Sequence, residues 1–166
     1  MKMRSIIRRS RRVAFMDTDK TGSTPKYERM TDFSTFSGAK NPKEYTRQYV
    51  DESSERSDVT GYSPSISYSF DRHTETPVHD RIASIHDDEL LGSDACVDIV
   101  VVDLFEKSED GQLKAKKRTY SVIPNADGDG TDALVYSGTL RAASDFVDGT
   151  ATISEDGKIA TFTPKS

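Results

Sequence analysis

The stretch Y-S-P-S-I-S-Y-S-F, Tyr62 to Phe70, decides the fold class. Tyr62, Pro64, Ile66, Tyr68 and Phe70 alternate with four serines. A period of two gives a strand with one apolar face and one face of small hydroxyls. Pro64 has no N–H for a ladder and belongs near the strand start or on an edge. Downstream the period changes. In T-P-V-H-D-R-I-A-S-I-H-D-D-E-L-L-G, Thr76 suits an N-cap and Pro77 the first helical position, while Val78, Ile82 and Ile85 recur at helical spacing. This predicts a helix from Pro77 to Leu91, stopped at Gly92 and packed through Val78, Ile82 and Ile85. The next segment, Ala95 to Glu106, is apolar on both faces. It reads as a central strand covered by a second sheet on one side and by the helix on the other.

The remainder reads as strands and turns. K-S-E-D-G-Q (Lys107 to Gln112) and S-E-D-G-K (Ser154 to Lys158) carry the Asp-Gly hairpin signal. Between them lie K-R-T-Y-S-V-I-P, A-L-V-Y-S-G-T-L-R-A-A and F-V-D-G-T-A-T-I-S, and I-A-T-F-T follows the second. Upstream, V-A-F-M-D and Y-E-R-M-T-D-F-S-T-F-S each read as a strand. The expected fold is mostly β: a sandwich or open barrel of two antiparallel sheets with one flanking α-helix.

Composition sets outer bounds. The 166 residues, 34% hydrophobic, suit one domain burying roughly 70% of the surface its unfolded chain exposes. No apolar run is long enough to span a membrane, and Ile6-Ile7 is too short for a signal-peptide core. Cys96 is the only cysteine, which excludes an intramolecular disulfide and points to a reducing compartment; its apolar neighbours predict a small core residue. Residues 1–12 form a basic arm with six positive charges and no acid, so against a net charge of −5 the domain from 13 to 166 carries −11. A basic arm can be a nucleic-acid tail, a disordered or partner-docked segment, or a short transit peptide. The acidic body argues against a DNA-binding domain.

Catalytic patterns are absent from the sequence. His79 and His86 fall about 10 Å apart along the expected helix and cannot share a zinc ion, so His73, His79 and His86 read as solvated or packing residues. N-A-D-G-D-G-T-D-A, Asn125 to Ala133, resembles a calcium loop until its twelfth position, where Tyr136 stands in place of a bidentate glutamate. It reads as an acidic hairpin loop. Gly61 and Ser63 begin a nucleophile elbow, but Ser65 replaces its second glycine. The expectation is a protein that is not an enzyme and takes no cofactor or metal.

Glu44 to Tyr62, E-Y-T-R-Q-Y-V-D-E-S-S-E-R-S-D-V-T-G-Y, fits neither a helix nor a linker. After Tyr45, Tyr49 and Val50 a long polar run leaves no apolar stripe, and disordered spacers are poor in aromatics. It reads as a long polar loop, around residues 38–61, whose anchors need a partner.

N-P-K-E-Y-T-R-Q-Y-V-D-E-S-S-E-R-S-D-V-T-G-Y-S-P-S-I-S-Y-S-F, followed by P-V-H-D-R-I, V-D-I-V-V-V-D-L-F, R-T-Y-S-V-I-P and Y-S-G-T-L, resembles the tail tube, or major tail, proteins of long-tailed bacteriophages. The similarity runs from about Tyr27 to near the end, in order and texture rather than in a catalytic signature. It implies a β-sandwich with one flanking helix, six copies closing into a ring, and rings stacking into a hollow tail tube through which DNA passes during infection. One sheet of each subunit would line the lumen and a long loop would reach a neighbour. The loop then becomes an assembly element in which Tyr45, Arg47, Tyr49, Arg56 and Tyr62 meet another subunit; an ordinary hairpin folding back on its own subunit is the plainer reading. Arg8, Arg9, Arg11 and Arg12 are expected to engage acidic surface on an adjacent subunit or to project outward, because free in the lumen they would attract DNA. Six copies at −5 carry roughly −30 per ring, which would repel phosphates. The implied partners are further copies of the chain and the tape measure, tail terminator and baseplate proteins. DNA passes without specific binding, no membrane is involved, and assembly occurs in the host cytoplasm. The alternatives are the tube protein of a phage-derived machine, such as a secretion system, bacteriocin or gene-transfer particle, and a β-sandwich binding module, which the absence of tryptophan weakens.

Overall fold

A computed structural model describes residues 3–19 and 23–166, with Asp129 described by its backbone alone. Met1 and Lys2 of the basic arm lie outside the described residues. The strands are β1 (Arg12–Asp17), β2 (Tyr27–Arg29), β3 (Phe33–Ala39), β4 (Pro42–Arg47), β5 (Arg56–Tyr62), β6 (Ser65–Asp71), β7 (Cys96–Lys107), β8 (Leu113–Asp129), β9 (Val135–Ala142), β10 (Val147–Ile153) and β11 (Ile159–Pro164). One α-helix, α1 (Pro77–Asp87), follows β6. Nine strands form a single antiparallel sheet in the order β10-β11-β2-β1-β7-β8-β9-β6-β3, and β4 pairs only with β5.

The fold is mostly β with one flanking helix, and its two layers come from one sheet that closes on itself. The N-terminal part of β8 pairs with β10, from Leu113↔Ala151 to Lys117↔Val147. Strands β8, β7, β1, β2, β11 and β10 therefore make a closed barrel, while β9, β6 and β3 continue from the other half of β8 as a wing. Val13, Phe15, Tyr27, Val100, Val102, Ala115, Ala151 and Ala160 fill the barrel. Met16, Val97, Ile99, Tyr120, Val122, Ile66, Tyr68 and Phe70 form a second core under α1. Within β7, Val100 and Val102 enter one core and Val97 and Ile99 the other, which is why this segment is apolar on both faces.

Several local expectations are corrected. The helix ends at Asp87, and Gly92 instead opens a short 3-10 turn, leaving Leu91 exposed. The Tyr27 to Ser37 stretch is two strands at different places in the sheet, broken by Asp32 at φ 62°. Asn125 to Asp129 extend β8 through two register shifts, so only Gly130 to Leu134 form the turn. Cys96 is half-buried beside Ser121 Oγ at 3.5 Å, outside both cores. The segment around 38–61 is a hairpin, β4 and β5, rather than a loop.

Helix α1 buries Val78, His79, Ile82, Ala83, Ile85 and His86, a single stripe. The two histidines are its polar anchors. His79 Nδ1 accepts the His73 backbone N–H at 3.1 Å, so the ring proton sits on Nε2, which donates to the Thr31 carbonyl at 2.8 Å. The ring stacks on Phe70 at 4.4 Å. His86 Nε2 shares a 2.6 Å hydrogen bond with Tyr68 Oη. Tyr68 reaches that position because residue 138 is glycine; a Cβ there would strike the Tyr68 hydroxyl and the Ile123 carbonyl. Burial lowers the pKa of both histidines, outweighing Asp32 and Asp80 around His79 and Asp87 and Asp127 around His86.

Two measurements check this packing. Ile82→Asp removes a fully buried side chain and places a carboxylate against the core. It should cost about 4 kcal/mol and lower Tm by roughly 10 °C; an unchanged Tm would show that the helix face is not packed in solution. For the histidines, the neutral form is favoured in the folded state. Their contribution is therefore complete above the unfolded value of 6.5 and is lost as pH falls below it through the folded values. The urea midpoint should fall between pH 7.5 and 5, and His79→Gln should flatten that slope.

Candidate subunit interface

The β4–β5 hairpin projects from the body as an arm. From Ser37 to Ser63 every residue is exposed except Arg47, Glu52 and Gly61, which are half-buried. Its base is pinched by reciprocal contacts: Ser63 N–H donates to the Asn41 carbonyl at 3.2 Å, and Asn41 Nδ2 donates to the Ser63 carbonyl at 2.9 Å. The register pairs Tyr45 with Asp58, Thr46 with Ser57 and Arg47 with Arg56, with a bulge at Lys43/Glu44.

One face of the arm is organised around Arg47. Its guanidinium lies 5.0 Å from the Tyr45 ring and 5.3 Å from the Tyr49 ring. Nε donates to Tyr49 Oη at 2.6 Å, and the terminal nitrogen pairs with Asp58 at 2.7 Å. These contacts with Tyr49 and then Asp58 raise the Arg47 pKa above its ordinary value. Arg56 stacks on the other side of the cluster, 5.6 Å from the Tyr49 ring, and pairs with Glu52. Tyr45, Arg47, Tyr49 and Arg56 thus stand together as an aromatic–guanidinium cluster. A two-stranded ribbon has no core of its own, and these contacts are what order it. The rings remain half open, Tyr45 at 55% and Tyr49 at 44% exposure, which is unusual area for a free surface and well suited to burial against a protein.

Tyr62 is not part of this cluster. It pairs with Pro42 at the arm's base and lines a separate groove with Ser63, Pro64, Arg118, Arg141, Ser144 and Phe146. That groove was missed in the sequence, because its members come from three separate segments whose only local sign is an exposed Phe146.

The basic residues also divide. Arg12 is the first residue of β1 and pairs with Asp103 of its own chain at 2.6 Å; this hydrogen bond chiefly raises its pKa. Arg9 donates to the Phe36 carbonyl at 3.1 Å and Arg11 to the Leu104 carbonyl at 3.1 Å. Arg8 is the exposed residue before a short 3-10 turn, Arg9–Arg11. Within the single subunit the basic segment is thus tethered to its own chain from Arg9 onward. Val78, Ile82 and Ile85 lie under α1 and take no part in any exposed surface.

The hydroxyl face of β6 extends across the wing. Thr35 and Ser37 of β3, Ser65, Ser67 and Ser69 of β6, Ser137 and Thr139 of β9, and Thr119 and Ser121 of β8 share it by register. The helix covers the opposite face. Among the described residues no cluster of His, Cys, Asp or Glu is placed to hold a metal.

Hydrogen exchange tests the arm's marginal order. In the isolated subunit, amides 43–61 should exchange far faster than those of β7, and become protected when the arm is covered by a partner. Equal protection in the free and the associated protein would show that the arm is not a contact surface.

No protein-family model matches the chain, and no curated protein matches it. Solved structures do match in fold. A chain from the tail of an empty GTA particle, obtained by helical refinement with C6 symmetry, superposes with a TM-score of 0.57 at 13% identity, covering 86% of this chain and 98% of that one. A chain of the anti-feeding prophage tube-terminating cap gives 0.48 at 15% identity, covering 91% and 95%. A chain of the PVC sheath–tube complex of an extracellular contractile injection system gives 0.46 at 17% identity, covering 87% and 92%. The chain has a tail-tube-like fold.

Proposed function

We propose that this protein is the tube subunit of a phage-like particle, with six copies closing into a ring and rings stacking into a hollow conduit for DNA. The observation that carries the reading is the arm. A body with a tail-tube-like fold extends a two-stranded hairpin whose aromatic–guanidinium cluster is left half exposed among the described residues. In an assembly that cluster is covered by a neighbour, and the arm's exposure in the single subunit is explained.

The wing supplies the conduit wall. Its hydroxyl face lies opposite α1 and is built mainly of serines and threonines, with Ile123 among them, Arg141 and Asp98 toward one end and Asp71 at the other. Hydroxyls wet the surface without holding phosphates, so passing DNA meets little adhesion. The sequence resemblance supports a long-tailed bacteriophage as the source of the tube, with tape measure, terminator and baseplate proteins as further partners. The likeness to the GTA tail supports a phage-derived particle on the same architecture.

Negative-stain microscopy of the concentrated full-length chain tests the proposal, with sixfold rings and tubes as the expected result. Because Asn41 and Ser63 are bonded to one another, removing residues 42–62 should leave a folded subunit with an unchanged Tm that forms neither. A wild-type chain that stays monomeric at high concentration would overturn the reading.

A further inference from the structure

Strand β9 carries opposite charge at its two ends. At its C-terminal end Arg141 lines the groove at the base of the arm, together with Arg118, Tyr62 and Phe146. Phe146 is 47% exposed, and Lys116 and Arg118 lie over its ring at 4.2 and 5.3 Å. Arg118 Nε is buried and has no hydrogen-bond partner. Among the described residues neither Arg118 nor Arg141 has a carboxylate within ion-pair distance, although Asp145 lines the same groove; Lys116 is paired with Asp148 at 3.8 Å. Arg118 bonds the Tyr120 side chain, but guanidinium groups without a carboxylate beside an exposed ring suit an anionic partner with an apolar flank.

At the other end of the same strand is the tip between β8 and β9. Asp127 and Asp132 are exposed there, neither with a cationic partner among the described residues, and Leu134 is 47% exposed. Arg72, whose backbone N–H donates to the Leu134 carbonyl, is committed to Asp80, Asp87 and Tyr136. Tip and groove are separated by the length of β9, about 20 Å, so they cannot meet within one subunit.

We infer that the acidic tip of one subunit seats in the arginine–aromatic groove of a second copy of this chain, with Asp127 and Asp132 facing Arg118 and Arg141 and Leu134 against Phe146. The inference rests on the tube reading and extends it. Two different patches at opposite ends of the same strands make a heterologous contact, which repeats along the strand direction instead of closing on a pair. Placed between successive rings rather than between neighbours within one, which a heterologous contact can also join, it fixes their polarity by its charge.

The test uses exposed positions, where charge reversal leaves the fold intact. Arg141→Glu and Asp132→Lys, made separately in the full-length chain, should each shorten mean tube length at least about fivefold, leaving rings and Tm unchanged. The two together in one chain should restore tubes, since every contact then pairs the reversed charges. A double variant as defective as either single, or singles that stack like wild type, would overturn the inference while leaving rings and tubes, and so the tube reading, in place. Wild-type protein that forms no rings would sink both. Binding of a short DNA duplex that is lost in Arg141→Glu while tubes persist would make the groove a polyanion site instead, and would also overturn it.

Discussion

The structure depends on the closure of β10 against the first half of β8. Because β8 is 17 residues long, its N-terminal half belongs to the barrel and its C-terminal half to the wing, and one strand serves two cores. The strand's pleat keeps Ala115 and Ser121 on the same side of the sheet, so the surface that begins inside the barrel emerges as the hydroxyl face. The opposite surface passes from the barrel's exterior to the core beneath α1. Closure needs close approach at one point. Gly149 pairs with Ala115 on one side and Pro164 on the other, and a Cβ at this position would collide with the Thr163 carbonyl and the Phe162 ring. Phe162 occupies the space the missing side chain leaves, covering a glycine that the strand could not otherwise tolerate cheaply.

This sharing explains which parts of the fold could be read from the sequence. Within Tyr62 to Phe70 the alternation was legible from Ser65 onward, as was Ala95 to Glu106 from Cys96, because each has a face, or two faces, fixed by burial; Tyr62 instead ends β5, beyond Ser63 and Pro64, and is exposed. The helix was legible for the same reason, whereas its end was not: the turn at Glu89, with φ 49°, overrides the apolar Leu90-Leu91 pair that made the helix look longer. The arm was illegible as β structure because neither of its faces is buried, and a ribbon exposed on both sides carries no alternation. Tyr45, Arg47 and Tyr49 were visible as residues in search of a partner, but their common centre on Arg47 follows from cross-strand register, which the sequence does not display. The Arg118–Arg141 groove required the path of the β9–β10 connection across Thr119, where Ala143 N–H and Ser144 Oγ meet its backbone.

The arm also shows how a surface is kept both soluble and ready for burial. Each exposed ring in it is bordered by a charged group, Arg47 between Tyr45 and Tyr49 and Arg56 beyond, so the rings are shielded without being covered. An edge strand left open invites pairing with any other edge, and the bulge at Lys43/Glu44 together with Lys43, Glu44, Asp58 and Arg56 along the ribbon disfavours such pairing. Association through side chains is thereby separated from association through the ladder. The first can select one neighbour by shape and charge, while the second cannot.

The distribution of charge bears on the proposed conduit. A net charge of −5 suggested a wall that repels phosphates, yet on the wing's hydroxyl face Asp71, Asp98 and Arg141 leave little net charge among the serines and threonines. Acidic groups lie instead at the β8–β9 tip and around α1, where Asp80 and Asp87 hold Arg72. A strongly negative wall would oppose entry of DNA over a Debye length of about 8 Å, and a positive one would retain it by releasing counterions. A surface of small hydroxyls avoids both: it binds water well enough to stay wet and offers each phosphate only weak, interchangeable partners. Under the proposed tube reading, the same alternation of serine with apolar residues that fixes β6 in the sheet would set how a tube treats its cargo, since one face of the period builds the core and the other would build the wall.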